Sequence, residues 1–313
     1  MSRPPRNPLI PMRNGVSPSL VALPAGPWPT VLDFLADRLP AVSREQWRQR
    51  LQAGEVLSED GTPVAAQALF QHGRRLYYYR HLAQEPELPE HETLLFEDAH
   101  LLVVDKPHFM PVTPTGRYVQ QSLLVRLKRS TGCETLSPIH RIDRETAGVV
   151  LLAKRPEDRN AYQAMFRDRQ VHKVYEAVAA HRPGLVPPRV HRSRLEEDDR
   201  FFRMREVPGE PNSETGVALL HAWEGRALYR LTPVTGKRHQ LRVHMMALGM
   251  PIEGDRFYPE VLRGPDEAED FSRPLQLLAR EIAFTDPVTR QPRHFASQRR
   301  LTLADMPASP VSP

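Results

Sequence analysis

Cysteine occurs once in the 313 residues, at Cys133, which excludes an internal disulfide and a multi-thiolate metal cluster. No apolar run is long enough to cross a bilayer, and the opening Met1-Ser2-Arg3-Pro4-Pro5-Arg6-Asn7-Pro8 offers no apolar signal core. A reducing, cytoplasmic setting is the expectation. No glycine-rich phosphate loop and no regular strand–helix alternation is present, which argues against a dinucleotide or ATP fold. His239 and His244 are five residues apart and fall on different faces of a helix, so no helical zinc pair and no metal site is expected.

What the chain has instead is positive charge and proline. Lys and Arg number 43 against 38 Asp and Glu, a formal net charge of +5 that favours a polyanionic partner. The length allows one large domain with a small appendage, because single cores stop growing near ~250–300 residues. Residues 1–29 carry eight prolines, at 4, 5, 8, 11, 18, 24, 27 and 29, and read as an extended, partly mobile arm.

Residues 30–80 read as a small α/β unit. Thr30 with Asp33 caps a first amphipathic helix that stops at Pro40, and Ser43-Arg44-Glu45-Gln46 is a capping box for a second that ends at Gly54. Glu55 to Val64 is a hairpin in which Asp60-Gly61 supplies the positive φ angles of a tight turn. Tyr77-Tyr78-Tyr79 reads as structural. Residues 81–91, with Pro86 and Pro89, form a linker, 92–303 a second domain, and 304–313 a disordered tail.

The second domain mixes elements. Leu101–Val104, Gly148–Ala153, Val174–Ala179, Val217–Ala222, Ala227–Leu231 and Leu275–Phe284 read as strands; Ser122–Lys128, Glu157–Arg167 and Lys237–Leu248 read as helices. The fold class is α+β, a mixed and mainly antiparallel sheet with flanking helices. The last helix is polar on more faces than a surface helix needs, which predicts that it lines a cleft. The charge-dense stretch from Arg189 to Arg205 reads as a solvated loop.

His140-Arg141-Ile142-Asp143-Arg144-Glu145-Thr146-Ala147-Gly148, leading into Val149-Val150-Leu151-Leu152-Ala153-Lys154, carries the chemistry. Guanidinium groups favour the ionised form of a nearby carboxylate, which makes Asp143 a candidate nucleophile. The same charges would also suit an ion-pair cluster ahead of a core strand.

The order H-R-I-D-R-E-T-A-G resembles the signature of the RluA-type pseudouridine synthases, whose aspartate in H-R-L-D-R is catalytic. Three further blocks are similar in the same order: Glu97 to Pro107, with Lys106; Lys173-Val174-Tyr175-Glu176-Ala177; and Thr235 to His244, followed by Gly249 to Asp255. The resemblance covers about residues 92–300. It implies isomerisation of uridine in ribosomal or transfer RNA, with Asp143, Tyr175 and Arg242 at the reacting centre and no cofactor. Asp143 would act at the ribose, by attack on the anomeric carbon or by removal of the 2′ proton. Tyr175 would pack on the base and Arg242 would pair with Asp143; a core tyrosine and a phosphate-binding or structural arginine are the alternatives. Arg141, Arg144, Lys106, His140 and His239 are the candidate substrate contacts, and the target uridine is expected to be turned out of its stack.

Ser43, Arg44, Leu51, Gly54 and Val56 are similar to the pattern of a small RNA-binding module shared by a ribosomal small-subunit protein and RNA-modifying enzymes. Arg44, Arg48 and Arg50 would meet phosphates there, unless the unit is simply a helix–turn–hairpin with a solvated basic face. The expected partner is RNA, with no membrane and no metal, and the chain is expected to be a monomer. Ile142, Ala147 and Lys237-Arg238 depart mildly from the family pattern, and Leu278 stands where histidine is common. A noncatalytic RNA-binding or ribosome-assembly protein and a nucleoside hydrolase are the alternatives in other classes.

Overall fold

The computed structural model describes residues 7–80, 82, 84–181, 190–199, 203–261, 267 and 270–303. The expected tail at 304–313, and Arg189 and Arg200 of the charged stretch, lie outside the described residues. The chain divides into two compact units. The first comprises residues 1–85, 116–120 and 125–134, the second the remainder.

The first unit holds β1 (Ser19–Ala22), α1 (Val31–Arg38), α2 (Arg44–Gln52), β2 (Val56–Leu57), β3 (Arg75–Tyr78) and most of α3 (Leu123–Thr131). Both capping boxes form as the local sequence requires. Thr30 Oγ1 accepts from the Asp33 N–H and Asp33 Oδ2 from the Thr30 N–H; Ser43 and Gln46 do the same for α2. Gly54 ends α2 at φ +68°. The Ser58 N–H bonds to Thr62 O, and Gly61 takes φ +81° in the turn. Phe34, Leu35, Trp47, Leu51, Val56 and Leu76 form the core, with Trp47 edge-on to Tyr78 at 5.2 Å.

The proline-rich arm is corrected. Ser19–Ala22 pairs antiparallel with β3 at the edge of a sheet ordered β1-β3-β2, and Ile10, Val16 and Leu23 are buried. Pro18 and Pro24 flank the strand rather than interrupt it, and an edge strand is where a neighbouring proline costs least.

The second unit is built on one eleven-stranded sheet. Its strands are β4 (Thr93–Glu97), β5 (Leu101–Lys106), β6 (Ser137–Pro138), β7 (Ala147–Ala153), β8 (His172–Ala180), β9 (Val190–Glu197), β10 (Met204–Val207), β11 (Ser213–Trp223), β12 (Arg226–Pro233), β13 (Leu277–Thr285) and β14 (Pro292–Ala296). They run β10-β9-β11-β12-β8-β13-β7-β5-β4, with β6 on β7 and β14 on β13; β7 and β13 are parallel and every other pair is antiparallel. The helices are α4 (Arg159–Arg167) and α5 (Gln240–Ala247). β7 is buried along its whole length, as its unbroken apolar sequence demands. Gly148, at φ +115°, lets β7 approach β13: a Cβ there would stand 2.2 Å from the Ala279 carbonyl oxygen.

The charged stretch is also corrected. Val190–Glu197 and Met204–Val207 form an antiparallel pair at the sheet edge, with Leu195 and Met204 packed against Val243 and Tyr258. Arg192 pairs with Glu214 on β11 and Arg194 with Glu196, so these charges occupy solvent-facing positions of β9, which lies between β10 and β11 with Leu195 buried. Among the described residues no helix is long and apolar enough to cross a membrane.

Candidate active site

The loop ahead of β7, the strand β8 and the start of α5 converge at one end of the sheet. Arg141, Asp143, Tyr175, His239 and Arg242 line one open cleft there, with Lys173 and Leu277 completing its wall. Three elements distant in sequence are therefore needed to assemble five of the expected side chains.

Arg242 is 1% exposed and is gripped from both sides. Its Nε and Nη2 donate to the two carboxylate oxygens of Asp255, at 2.8 and 2.7 Å, and its Nη1 donates to Asp143 Oδ2 at 3.2 Å. The rings of Phe257 and Tyr258 lie 5.2 and 5.5 Å from the guanidinium carbon. Burial alone would lower its proton affinity, but the Asp255 hydrogen bonds and the charges of Asp255, Asp143 and Glu145 outweigh burial and hold the pKa above its ordinary value. A permanent cation is thus fixed beside Asp143, whose side chain keeps 25% of its surface open to the cleft.

Asp255 also organises its own loop. Its Oδ1 accepts from the N–H groups of Phe257 and Tyr258, at 2.9 and 3.1 Å, which turns both rings toward Arg242. Glu145 is a supporting carboxylate rather than a second free acid. Burial disfavours its charge, yet Arg144 at 2.9 Å and Arg242 at 3.9 Å hold its pKa below the ordinary value. Tyr175 is raised by burial first and then by the negative charge of Asp143, so its phenol keeps its proton across the neutral range.

Two expected substrate contacts have other work. Lys106 is fully buried, and its Nζ donates to the carbonyl oxygens of Pro107, Met110 and Arg144, at 2.9, 2.7 and 3.1 Å. It braces the loop that carries Asp143 instead of reaching a phosphate. Burial pushes Lys106 down to about 7, with Glu145 and Asp143 opposing that shift. His140 stacks on Phe166 at 4.7 Å and accepts the Leu151 N–H through Nε2; burial, reinforced by Lys173, takes its pKa down to about 3. It is a neutral packing group. Arg144 spends its Nε on Glu145, leaving Arg141 as the exposed arginine of the motif that lines the cleft.

The first unit carries Arg44, Arg48 and Arg50. Arg44 pairs with Asp33 at 2.7 Å, Arg48 with Glu45 at 2.6 Å, and Arg50 lies 5.2 Å over the Trp47 ring. Arg44 and Arg48 remain about half exposed.

Sequence reading assigned no role to Asp255, Tyr258 or Lys173. Asp255 closes the Gly249–Asp255 block and Tyr258 lies beyond any motif, so only the folded chain reveals their contacts. Leu278 is resolved plainly: it is buried with Ala147, Val178, Leu228, Leu301 and Leu303, whereas Leu277 faces the cleft.

His191, Glu206 and His244 bring one donor atom each within 4.8 Å of one another. Hydrogen bonding accounts for all three. Thr215 Oγ1 accepts from Gln240 and so donates to His244 Nδ1; Ser213 Oγ donates to the Ser193 carbonyl and so accepts from His244 Nε2–H. His191 Nε2 meets Glu206 at 2.7 Å.

The family model described as RNA pseudouridylate synthase matches residues 100–247. An uncharacterized RNA pseudouridine synthase of Synechocystis sp. is 30% identical over 233 residues, covering 73% of this chain and 79% of the relative. The dual-specificity RNA pseudouridine synthase RluA of Yersinia pestis is 30% identical over 217 residues, 64% of this chain and 96% of the relative. The solved structure of human RNA pseudouridylate synthase domain containing 1 shares the fold, with a TM-score of 0.54 at 22% identity, over 69% of this chain and 86% of that one.

Proposed function

The chain belongs to the RluA-type RNA pseudouridine synthases, and we propose that it isomerises uridine through Asp143, with Arg242 and Tyr175 as its partners in the cleft. RNA is its substrate. The observation that carries the assignment is Asp143 itself: a partly open carboxylate 3.2 Å from a buried guanidinium that a second carboxylate holds in place.

Isomerisation breaks the bond between N1 of uracil and C1′ of ribose, turns the base, and joins C5 to C1′. The C5 proton is lost and N1 gains one, so no oxidant, water or energy source enters the balance. Asp143 acts at the ribose, on C1′ or on the 2′ proton. Arg242 holds Asp143 in place. Tyr175, protonated and packed beside Leu277, supports the base as it turns. A glycosidase would need a second carboxyl group to manage a water; the neighbouring Glu145 is committed to Arg144 and Arg242.

The base must leave its stack to reach Asp143. Arg141, exposed at the rim, is the group for the gap or a flanking phosphate, with Lys173 deeper in the cleft. The first unit, with Arg44 and Arg48 exposed on α2, contributes further RNA contacts as a ribosomal-protein-like module. Ribosomal or transfer RNA is the target class, in keeping with the dual-specificity name of one relative. The chain works as a monomer in the cytoplasm.

Pseudouridines mapped across total RNA from cells with and without the gene test this. Sites should vanish with the gene, return with the wild-type chain, and stay absent with Asp143→Asn while RNA binding persists. Unchanged maps, or release of free uracil, would overturn the proposal.

A further inference from the structure

His239 occupies an unusual place in the cleft. It precedes α5 with φ +53° and ψ +16°, a left-handed conformation that a side-chain-bearing residue adopts at a cost and that clusters at functional sites. The turn swings its ring between Tyr258, edge-on at 5.7 Å, and Phe257 at 5.9 Å, leaving 10% of the side chain open.

The hydrogen-bond chain behind the ring fixes its tautomer. The buried hydroxyl of Tyr258 accepts the Met204 N–H at 2.7 Å and lies 3.0 Å from His239 Nδ1. No other acceptor among the described residues is within hydrogen-bond distance of that hydroxyl, so its proton belongs on the bond to Nδ1. Nδ1 is then the acceptor, and in a neutral ring the hydrogen resides on Nε2. The ring is neutral because burial lowers its proton affinity and Arg242 adds to that, against the opposing charges of Asp143, Glu145 and Asp255. Nε2 has no hydrogen-bond partner among the described residues and stands 3.9 Å from Asp143 Oδ2, too far for a direct bond.

Resting on the assignment of Asp143 to the ribose, we propose that His239 is a further catalytic residue, donating its Nε2–H to O2 of the target uracil as the glycosidic bond breaks. When the N1–C1′ bond opens, its electron pair leaves with the base, and the negative charge spreads over N1, O2 and O4. This holds whether Asp143 attacks C1′ or removes the 2′ proton. O2 is bonded to the carbon next to N1 and so lies beside the sugar that Asp143 engages; O4 is on the far side of the ring. N3–H cannot meet a donor. A fixed donor at O2 stabilises the departing base without transferring a proton, as an oxyanion hole does. Tyr258 is the positioning residue that keeps the hydrogen on Nε2.

The test measures tritium released from C5 of total RNA labelled with [5-³H]uridine in cells lacking the gene, with enzyme in excess. His239→Ala should slow release about a hundredfold, the usual loss for one such donor, while RNA affinity stays unchanged. His239→Gln, which restores a neutral N–H donor, should recover a substantial part of the rate. Tyr258→Phe should slow release less than His239→Ala, and nitrogen NMR should show its His239 ring losing the single Nε2–H tautomer of wild type. A wild type that releases no tritium refutes the assigned function. A wild type that releases it, with His239→Ala equally fast or weakened only in RNA binding, refutes the role of His239 alone.

Discussion

Arg242 gives two nitrogens to Asp255 and one to Asp143, at 2.8, 2.7 and 3.2 Å. The tighter grip is therefore on Asp255, and Asp143, the carboxylate proposed to react, is held by a single bond. Asp255→Asn keeps the shape and removes the charge. It should slow pseudouridine formation strongly and, by weakening a buried ion pair, cost up to about 3–5 kcal/mol of stability. Urea unfolding alongside tritium release checks both; an unchanged rate would remove Asp255 from the argument.

Tyr175 gives a reading of Asp143 that is independent of activity. Part of the upward shift of its phenol comes from the Asp143 charge. Asp143→Asn should therefore bring the Tyr175 ionisation to lower pH than in wild type. Ultraviolet difference titration, with Tyr175→Phe identifying the signal, measures the direction.

His244 and His108 are both pushed down to about 4 by burial, from an ordinary value of 6.5. In the unfolded chain they take up protons that the folded chain refuses, so stability is complete above pH 6.5 and is lost as pH falls toward 4. Each contributes a slope of about 1.4 kcal/mol per pH unit within that window. Replacing His244 by Gln should flatten the profile by one such increment, as urea midpoints measured from pH 4 to 7 would show.

Leu278→His restores the residue common in the family at that position. The side chain would enter the cluster of Ala147, Val178, Leu228, Leu301 and Leu303, where an unpaired imidazole costs about 1–3 kcal/mol. Thermal unfolding should drop accordingly, while the reaction rate at low temperature stays near wild type because Leu277, not Leu278, faces the cleft.

The caps of α1 and α2 and the apolar run of β7 were legible in sequence because each is decided by neighbours in the chain. Asp143, Tyr175 and Arg242 were legible only through ordered motifs: Asp143 and Arg242 are 99 residues apart, and no local pattern joins them. β9 and β10 escaped because their exposed arginines and glutamates hid the buried Leu195 and Met204. The roles expected of Lys106 and His140 changed because a cation caged by carbonyls and an imidazole stacked on Phe166 look, in sequence, like any basic residues beside a catalytic motif. Tyr258 carried no signal at all, since its meaning lies in Met204 and His239 meeting at one hydroxyl.

Lys106 occupies a socket that demands three N–H hydrogens, one for each carbonyl of Pro107, Met110 and Arg144. Only the ammonium form has them, since a neutral amine offers two. The ammonium form of Lys106 thus ties down the loop that carries Asp143, whereas Arg141 on the same loop is exposed. Anchorage and exposure are separated within four residues of backbone, so a substitution at 141 leaves the brace on the Arg144 carbonyl, and the loop that carries Asp143, in place.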